Sequence, residues 1–217
     1  MKDPKEKNRQ MWDTRYGDAG YFYGTAPTAW LVSKQAYVRP GMRVLVPADG
    51  EGRNSVWCAQ RGAAVDAFDL SPVAVEKARA LAAEKGVSVN YAVASIDSWA
   101  WQAASYDAVV LIFMNFATPN MRSRLFADCI RALKPGGVLL VHGYRVEQLG
   151  YGTGGPPVIE QLYTETMLKE ALAPLTIVEM ESYDAPLSEG KGHNGMSALI
   201  GAVAQKNGVV KMTKCSC

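Results

Sequence analysis

The chain has 217 residues, 48% of them hydrophobic, and a formal charge of +2, its 23 basic and 21 acidic residues intermixed along the whole length. This is enough for one sizeable core with little left for a second domain, and it offers no extended basic face to grip nucleic acid. No apolar run approaches the ~20 residues that cross a bilayer, and the opening MKDPKEKNRQ is too polar for a signal peptide, so a cytoplasmic protein without a membrane partner is expected.

In chain order, short apolar runs rich in Val, Ile and Leu alternate with helical patterns. The strand candidates are MRVLVPA from Met42, AAVDAFDL from Ala63, SVNYAVA from Ser88, YDAVVLIFM from Tyr106 and GGVLLVHGY from Gly136. Their near-continuous apolar character indicates burial on both faces. Between them lie helices over Asn54 to Arg61, Pro72 to Lys85 and Asn120 to Leu133, the last closed by KPGG. In the second helix Ser71 is the N-cap, Pro72 the first helical residue and Gly86 the stop. A Gly/Pro-rich loop, Leu149 to Pro157, leads to a helix from Thr164 to Ala173 and then to strands from Leu175 and Ser197. Only the polar turn LSEGKGHNG separates these two, which predicts an antiparallel hairpin. The pattern predicts an α/β, Rossmann-like fold: a mostly parallel sheet with an antiparallel terminal strand and helices on both faces.

Cys58 and Cys129 sit in apolar helical patterns and read as core thiols, whereas Cys215 and Cys217 sit in the polar tail NGVVKMTKCSC. One C-x-C supplies two of four tetrahedral ligands, so no metal is expected and residues 207–217 read as a flexible tail.

The chemistry concentrates at VLVPADGEGRNSVW, residues 44–57. A strand, a G-x-G turn and a helix is shared by many nucleotide-binding folds, which place an anionic phosphate at the helix N-terminus. Here Asp49 and Glu51 stand inside the glycine pattern with only Arg53 to offset them. Two carboxylates beside a pyrophosphate repel it, which argues against a nicotinamide-dependent oxidoreductase and for a ligand carrying positive charge. S-adenosylmethionine is such a nucleoside, with Gly50 and Gly52 letting the backbone approach it and Asp49 or Glu51 facing its cationic end. Asp69, about 20 residues on at the end of the second strand, is placed for the ribose hydroxyls. Asp97 in ASIDSWAW reads either as an acceptor for the adenine amino group, with Trp99 or Trp101 as a wall, or as the N-cap of a short turn.

With these motifs in place, residues 42–205 resemble a class I S-adenosylmethionine-dependent methyltransferase, more narrowly the tellurite-resistance and thiopurine methyltransferase-like group. The residues carrying the narrow resemblance are WDTRY at Trp12, YGTAP at Tyr23, DGEGRNSVW at Asp49, FDLS at Phe68, LKPGG at Leu133, YGTGGPP at Tyr151 and GHNGMSALI at Gly192. The sequence departs from the pattern at Ala48, where a first glycine is usual, and at Val46 and Pro47, where an acid often ends the first strand.

The resemblance implies one domain over residues 1–206, with 1–37 as a lid segment and 38–206 as the core. It implies cofactor contacts from Trp30, Asp49, Gly50, Glu51, Gly52, Asn54, Asp69, Leu70, Ser71, Ser95, Ile96, Asp97 and Ile112. The substrate side falls to Tyr23, Phe113, Arg145, Tyr151 and His193, and catalysis to His193, Tyr144 and Asn115. From pattern alone the aromatic N-terminal segment reads equally as a helix packed on the core. His142, within a strand, reads as a packed residue, and His193, within the polar turn, as either a substrate-positioning base or a solvated histidine.

The implied product is S-adenosylhomocysteine, and the implied partner a small-molecule methyl acceptor bound by a monomer or homodimer. Little chain is left to cover a substrate, which points to a small one. A sulfur, selenium or tellurium centre is the acceptor the resemblance suggests and would need no base. An oxygen or nitrogen of a small organic metabolite is the alternative, and a protein that holds the cofactor without chemistry is the reading from another class.

Overall fold

The glycine loop projects from the end of a buried strand because β1 (Arg43–Pro47) alternates its side chains between two separate cores. Leu45 enters one; Val44 and Val46 enter the other. The same division runs along β4 (Tyr106–Ile112), with Val109 and Leu111 on one face and Ala108 and Val110 on the opposite one. Apart from Arg43 and Asp107 near their starts, both strands are therefore apolar, as strands covered on both faces must be.

The computed structural model describes residues 4–208; Cys215 and Cys217 lie outside them. Chain order is α1 (Pro4–Tyr16), α2 (Ala29–Ser33), β1, α3 (Arg53–Gln60), β2 (Ala64–Asp69), α4 (Pro72–Glu84), β3 (Asn90–Val93), β4, α5 (Pro119–Ala132), β5 (Leu133–Tyr144), α6 (Glu165–Ala171), β6 (Thr176–Glu189) and β7 (His193–Gln205). The seven strands form one sheet in the order β3-β2-β1-β4-β5-β7-β6. Strands β1 to β5 pair in parallel, while β7 runs antiparallel to both β5 and β6. This is the Rossmann-like architecture expected from the alternating pattern.

Local chemistry starts the helices where the sequence says. The Ser71 hydroxyl accepts the Ala74 N–H at 3.1 Å and Pro72 opens α4; Thr118 and Pro119 do the same for α5, and Thr164 caps α6. At the other end of α5 the Lys206 ammonium donates to the carbonyls of Ile130 and Leu133, each at 2.7 Å. These carbonyls have no partner within the helix, so the lysine closes it. Cys58 and Cys129 are buried free thiols.

Three boundaries differ from the sequence expectation. β5 begins at Leu133, which already pairs with Tyr106, so KPGG, which follows α5 as expected, is itself part of the strand. The hairpin strands are several residues longer than their apolar runs, because β6 keeps pairing through polar residues to Glu189. The nine-residue polar turn thus shrinks to Gly190–Lys191–Gly192, and His193 becomes the first residue of β7. Among the described residues no helix is long and apolar enough to cross a membrane.

Candidate functional site

Two adjoining cavities open where β1, β2 and β4 end, at the carboxyl edge of the parallel strands where open α/β sheets bind ligands. The first encloses about 130 Å³ and the second about 490 Å³. Asn8, Trp12, Tyr23, Phe113, Phe116 and His193 line both, so these six residues form the partition.

The floor of the first cavity is the glycine loop. Ala48, in the place of a usual glycine, adopts φ 46°, and Gly50 has φ 63° with its Cα facing the Tyr16 hydroxyl, which a Cβ would meet at 3.0 Å. Asp69 accepts N–H bonds from Gly50 and Ser71, both at 2.9 Å, which locks the loop to the end of β2. Asp49 accepts the Ser55 N–H at 3.3 Å and the Ser55 hydroxyl, satisfying the first turn of α3. Burial pushes both acids up, Asp69 to about 6 against its backbone hydrogen bonds and Asp49 to about 7 against those from Ser55. Leu70, Ser95, Ile96, Asp97, Asn54 and Ile112 complete the wall. Asp97 lies in a turn with its carboxylate 3.1 Å from Arg124. The Asn54 carboxamide oxygen accepts the Thr28 N–H at 3.1 Å.

Four expected cofactor residues do other work. Gly52 is the left-handed N-cap of α3, φ 92°, and a Cβ there would come within 2.7 Å of the Ala78 Cβ and 2.9 Å of the Tyr91 hydroxyl. It is a packing glycine between α3 and α4 that does not line the cavity. Gly52→Ala is expected to cost about 2–4 kcal/mol in urea unfolding, from overpacking plus left-handed strain. An unchanged midpoint would show that the space is available.

Glu51 lines the first cavity but is 3% exposed and bonded to Lys77 at 2.9 Å and to the Phe22 and Tyr23 N–H groups at 2.7 and 3.4 Å, so it also anchors the N-terminal segment. Ser71 is the buried cap of α4, with its hydroxyl 2.5 Å from Asp13. Trp30 lies on the α2 side of the sheet, stacked on His142 at 4.9 Å and 11°, with its indole N–H donated to Glu181 at 2.8 Å. Gly201 leaves the room for that ring: a Cβ would stand 2.3 Å from it. His142 is fully buried, its Nε2 2.9 Å from the Tyr183 hydroxyl, and burial pulls its pKa down to about 3.

On the substrate side, His193 is 6% exposed and set among Phe113 at 4.0 Å, Tyr23 at 4.5 Å and Tyr144 at 5.6 Å between ring centroids. Its burial excludes the solvated reading. Phe113 holds φ 53°, a left-handed conformation costly for a bulky side chain, and this brings its ring against the histidine. Glu189 Oε2 stands 3.5 Å from His193 Nδ1 and 2.7 Å from the Arg53 guanidinium. Burial opposes ionisation of Glu189, but His193 and Arg53 together outweigh it and hold the acid at about 2. Burial also lowers the His193 pKa, with Glu189 partly compensating. The pair is thus a neutral imidazole backed by a carboxylate, on the wall common to both cavities.

Asn115 is buried and fully used: its amide donates to the carbonyls of Tyr144 at 3.1 Å and Gln161 at 3.0 Å, and its oxygen accepts the Tyr144 N–H at 2.9 Å. It shapes the second cavity and has no free group for the reaction centre. Arg145 pairs with Asp184 and with Glu147 at 3.0 Å, and Tyr151 is 39% exposed with its hydroxyl 2.9 Å from Asp184. Neither lines a cavity, because the loop after β5 turns them toward β6. Tyr144 does line the second cavity and is 1% exposed, with a hydroxyl that has no hydrogen-bond partner.

The roof is α1. Trp12 stacks on Tyr16 at 5.6 Å and meets Phe116 edge-on at 5.9 Å, and the segment is tied down through Asp13, Glu51 and Lys77, the last reaching the carbonyls of Asp18 and Gly20. The two N-terminal readings thus coincide: the helix packs its aromatics, and what it packs over is the cavity. At about 130 Å³ the first cavity is smaller than the several hundred Å³ of usual small-molecule sites, and α1 forms one of its walls. Chymotryptic cleavage near Tyr16 should slow several-fold with S-adenosylhomocysteine present, and an unchanged rate would show that α1 is not a lid.

Among the lining residues of the first cavity Arg53 is paired with Glu189, Glu51 with Lys77 and Asp97 with Arg124, which leaves Asp49 and Asp69 as the carboxyl groups without a cationic partner. Such a donor set fits a cationic nucleoside and repels a pyrophosphate. Residues missed from sequence were Trp12, Tyr16, Phe116 and Met121 as walls and Arg53 and Glu189 as a charge pair. The one available signal was a Glu and a His four apart across a glycine turn.

Residues 44–137 match the family model described as a methyltransferase domain. The ubiquinone biosynthesis O-methyltransferase of Xanthomonas axonopodis pv. citri (strain 306) is 42% identical over 102 residues, 46% of this chain and 42% of that protein. The chain thus spans less than half the length of such curated relatives. Among solved structures, the one described as "Conversion of a Disulfide Bond into a Thioacetal Group during Echinomycin Biosynthesis" superposes with a TM-score of 0.75 at 17% identity, over 92% of each chain. TehB from Haemophilus influenzae superposes with a TM-score of 0.68 at 17% identity, over 92% of this chain and 67% of the other. At such identities the likeness establishes the fold, which is that of the Rossmann-like methyltransferases.

Proposed function

We propose that this chain is an S-adenosylmethionine-dependent methyltransferase that modifies a protic group, foremost a hydroxyl, of a small organic molecule. The observation that carries the reading is the buried His193–Glu189 pair on the partition between an acidic cavity and a larger aromatic one. When bound, the cofactor supplies an electrophilic methyl carbon on a sulfonium, whose C–S electron pair returns to sulfur as the acceptor's bond to carbon forms. Asp69, Asp49 and Asp97 would hold its polar groups, with Gly50 and Leu70 against the nucleoside and Ile96 and Ile112 as apolar walls. Phe113, Tyr23 and Trp12 exclude water from the partition. With Nδ1 facing Glu189, His193 keeps Nε2 to take the proton that the acceptor loses, and Glu189 stabilises the imidazolium that results.

A sulfur, selenium or tellurium acceptor, as the narrower resemblance suggests, would leave this base without a task, and a small inorganic anion would leave most of 490 Å³ unfilled. The likeness to TehB is one of fold alone. Calorimetry with S-adenosylmethionine, S-adenosylhomocysteine and NADH tests the cofactor. Micromolar binding of the first two, weakened at least tenfold by Asp69→Ala, is the expected outcome, and binding of NADH alone would overturn it.

A further inference from the structure

The two cavities are charged in opposite senses. The first is lined by Asp49, Glu51, Asp69 and Asp97, whereas among the described residues no carboxylate lines the second. The cation there is Arg15, contributed by α1, and it forms no ion pair among the described residues. Its guanidinium lies 4.7 Å from the Trp12 ring centroid and 5.6 Å from that of Phe22, and its one hydrogen bond, to the Tyr23 hydroxyl, is long at 3.4 Å. A guanidinium spread on aromatic faces keeps its planar fork of donors for a carboxylate or similar anion.

The rest of the cavity is a slot. Trp12, Phe22, Tyr23, Phe113, Phe116 and Tyr144 supply aromatic walls, and the Gly154–Pro157 run closes one side. Gly154 and Gly155 lie so near the Tyr144 ring that a Cβ on either would come within 2.9 and 3.0 Å of it. Aromatic walls favour a flat ring through offset and edge contacts.

Resting on the methyltransferase reading above, we infer that the second cavity selects a planar aromatic acceptor bearing an anionic substituent, and that Arg15 is the residue that reads the charge. The lid helix is then part of substrate specificity as well as a cover.

The test is binding, not turnover. Affinities of 4-hydroxybenzoate, 4-hydroxybenzamide and cyclohexanecarboxylate are measured by quenching of tryptophan emission, with and without S-adenosylhomocysteine, in wild type, Arg15→Met and Arg15→Lys. The expected result is at least tenfold preference for the benzoate over both others in wild type. The preference over the amide should collapse below threefold in Arg15→Met, be partly retained in Arg15→Lys, and weaken with added salt. Equal affinity for benzoate and benzamide, an unaffected Arg15→Met, or no binding of any probe at millimolar concentration would overturn the inference. These outcomes leave the cofactor reading intact if S-adenosylhomocysteine still binds, whereas its failure to bind would sink that reading instead.

Discussion

His193→Ala is expected to lower kcat about 10²–10⁴-fold toward a hydroxyl acceptor, the usual contribution of a positioned base, with KM for the acceptor changed only a few-fold. The measurement is S-adenosylhomocysteine release from a phenolic acceptor. The imidazole is buried against three aromatic rings and has no task in holding secondary structure beyond its place in the β6–β7 ladder, so its loss should be chemical more than architectural. Three readouts separate the two. Added imidazole should restore part of the turnover in the variant, S-adenosylhomocysteine affinity should stay within a few-fold of wild type, and Glu189→Gln should give an intermediate loss. The pH profile follows from the lowered His193 pKa: wild-type kcat should hold below pH 6.5, the ordinary histidine value, and fall only as the depressed pKa is crossed. Full activity in the alanine variant would return the acceptor to the class that needs no base.

The second large effect is on stability. Asp49 and Asp69 carry folded-state pKa values of about 7 and about 6, above the 3.8 of an exposed aspartate. Between these values the native state binds more protons than the unfolded chain, so their contribution is complete below about pH 4 and is lost as pH rises through 6 and 7. His142 and His193 act in the opposite sense: their lowered pKa values remove stability as pH falls below 6.5. The window in which the acids stand clear of the histidines is therefore pH 6.5–8. There the protein should lose about 1 kcal/mol, or some 2–4 °C in Tm, as pH rises, and Asp49→Asn should flatten the slope. A cationic ligand reverses the balance by favouring the ionised acids. Binding at pH 6.5 should release protons, seen as a calorimetric heat that varies with the buffer's ionisation enthalpy, and a buffer-independent heat together with a flat Tm would refute both pKa shifts.

Much of this fold was legible because its signals are local or strictly periodic. Ser71 followed by Pro72 announces a helix start whatever surrounds it, and apolar continuity in β1 and β4 reports burial on two faces. The site was harder because its assignments depend on residues distant in the chain. Gly52 stands inside a cofactor-like motif, but what forbids a side chain there is Ala78 on another helix. Glu51 looks like a ligand-facing acid until Lys77 and the Phe22 and Tyr23 amides claim it. LSEGKGHNG has the composition of a solvated turn, and only the register of β6 against β7 buries His193. Trp30 fell on the wrong face because its place is set by Gly201, 171 positions further along.

The strand order has a consequence for biosynthesis. β6 is made before β7 yet touches no strand but β7, which is inserted between it and β5. Until residues 193–205 leave the ribosome, a 14-residue strand with Val178 on its outer face waits beside an open sheet edge along β5. The parallel half of the sheet, with the glycine loop, Asp69 and Asp97, can already be folded at that moment. The nascent chain would therefore hold a finished glycine-loop floor before it has His193, and the interval between them is when it is most exposed to mispairing.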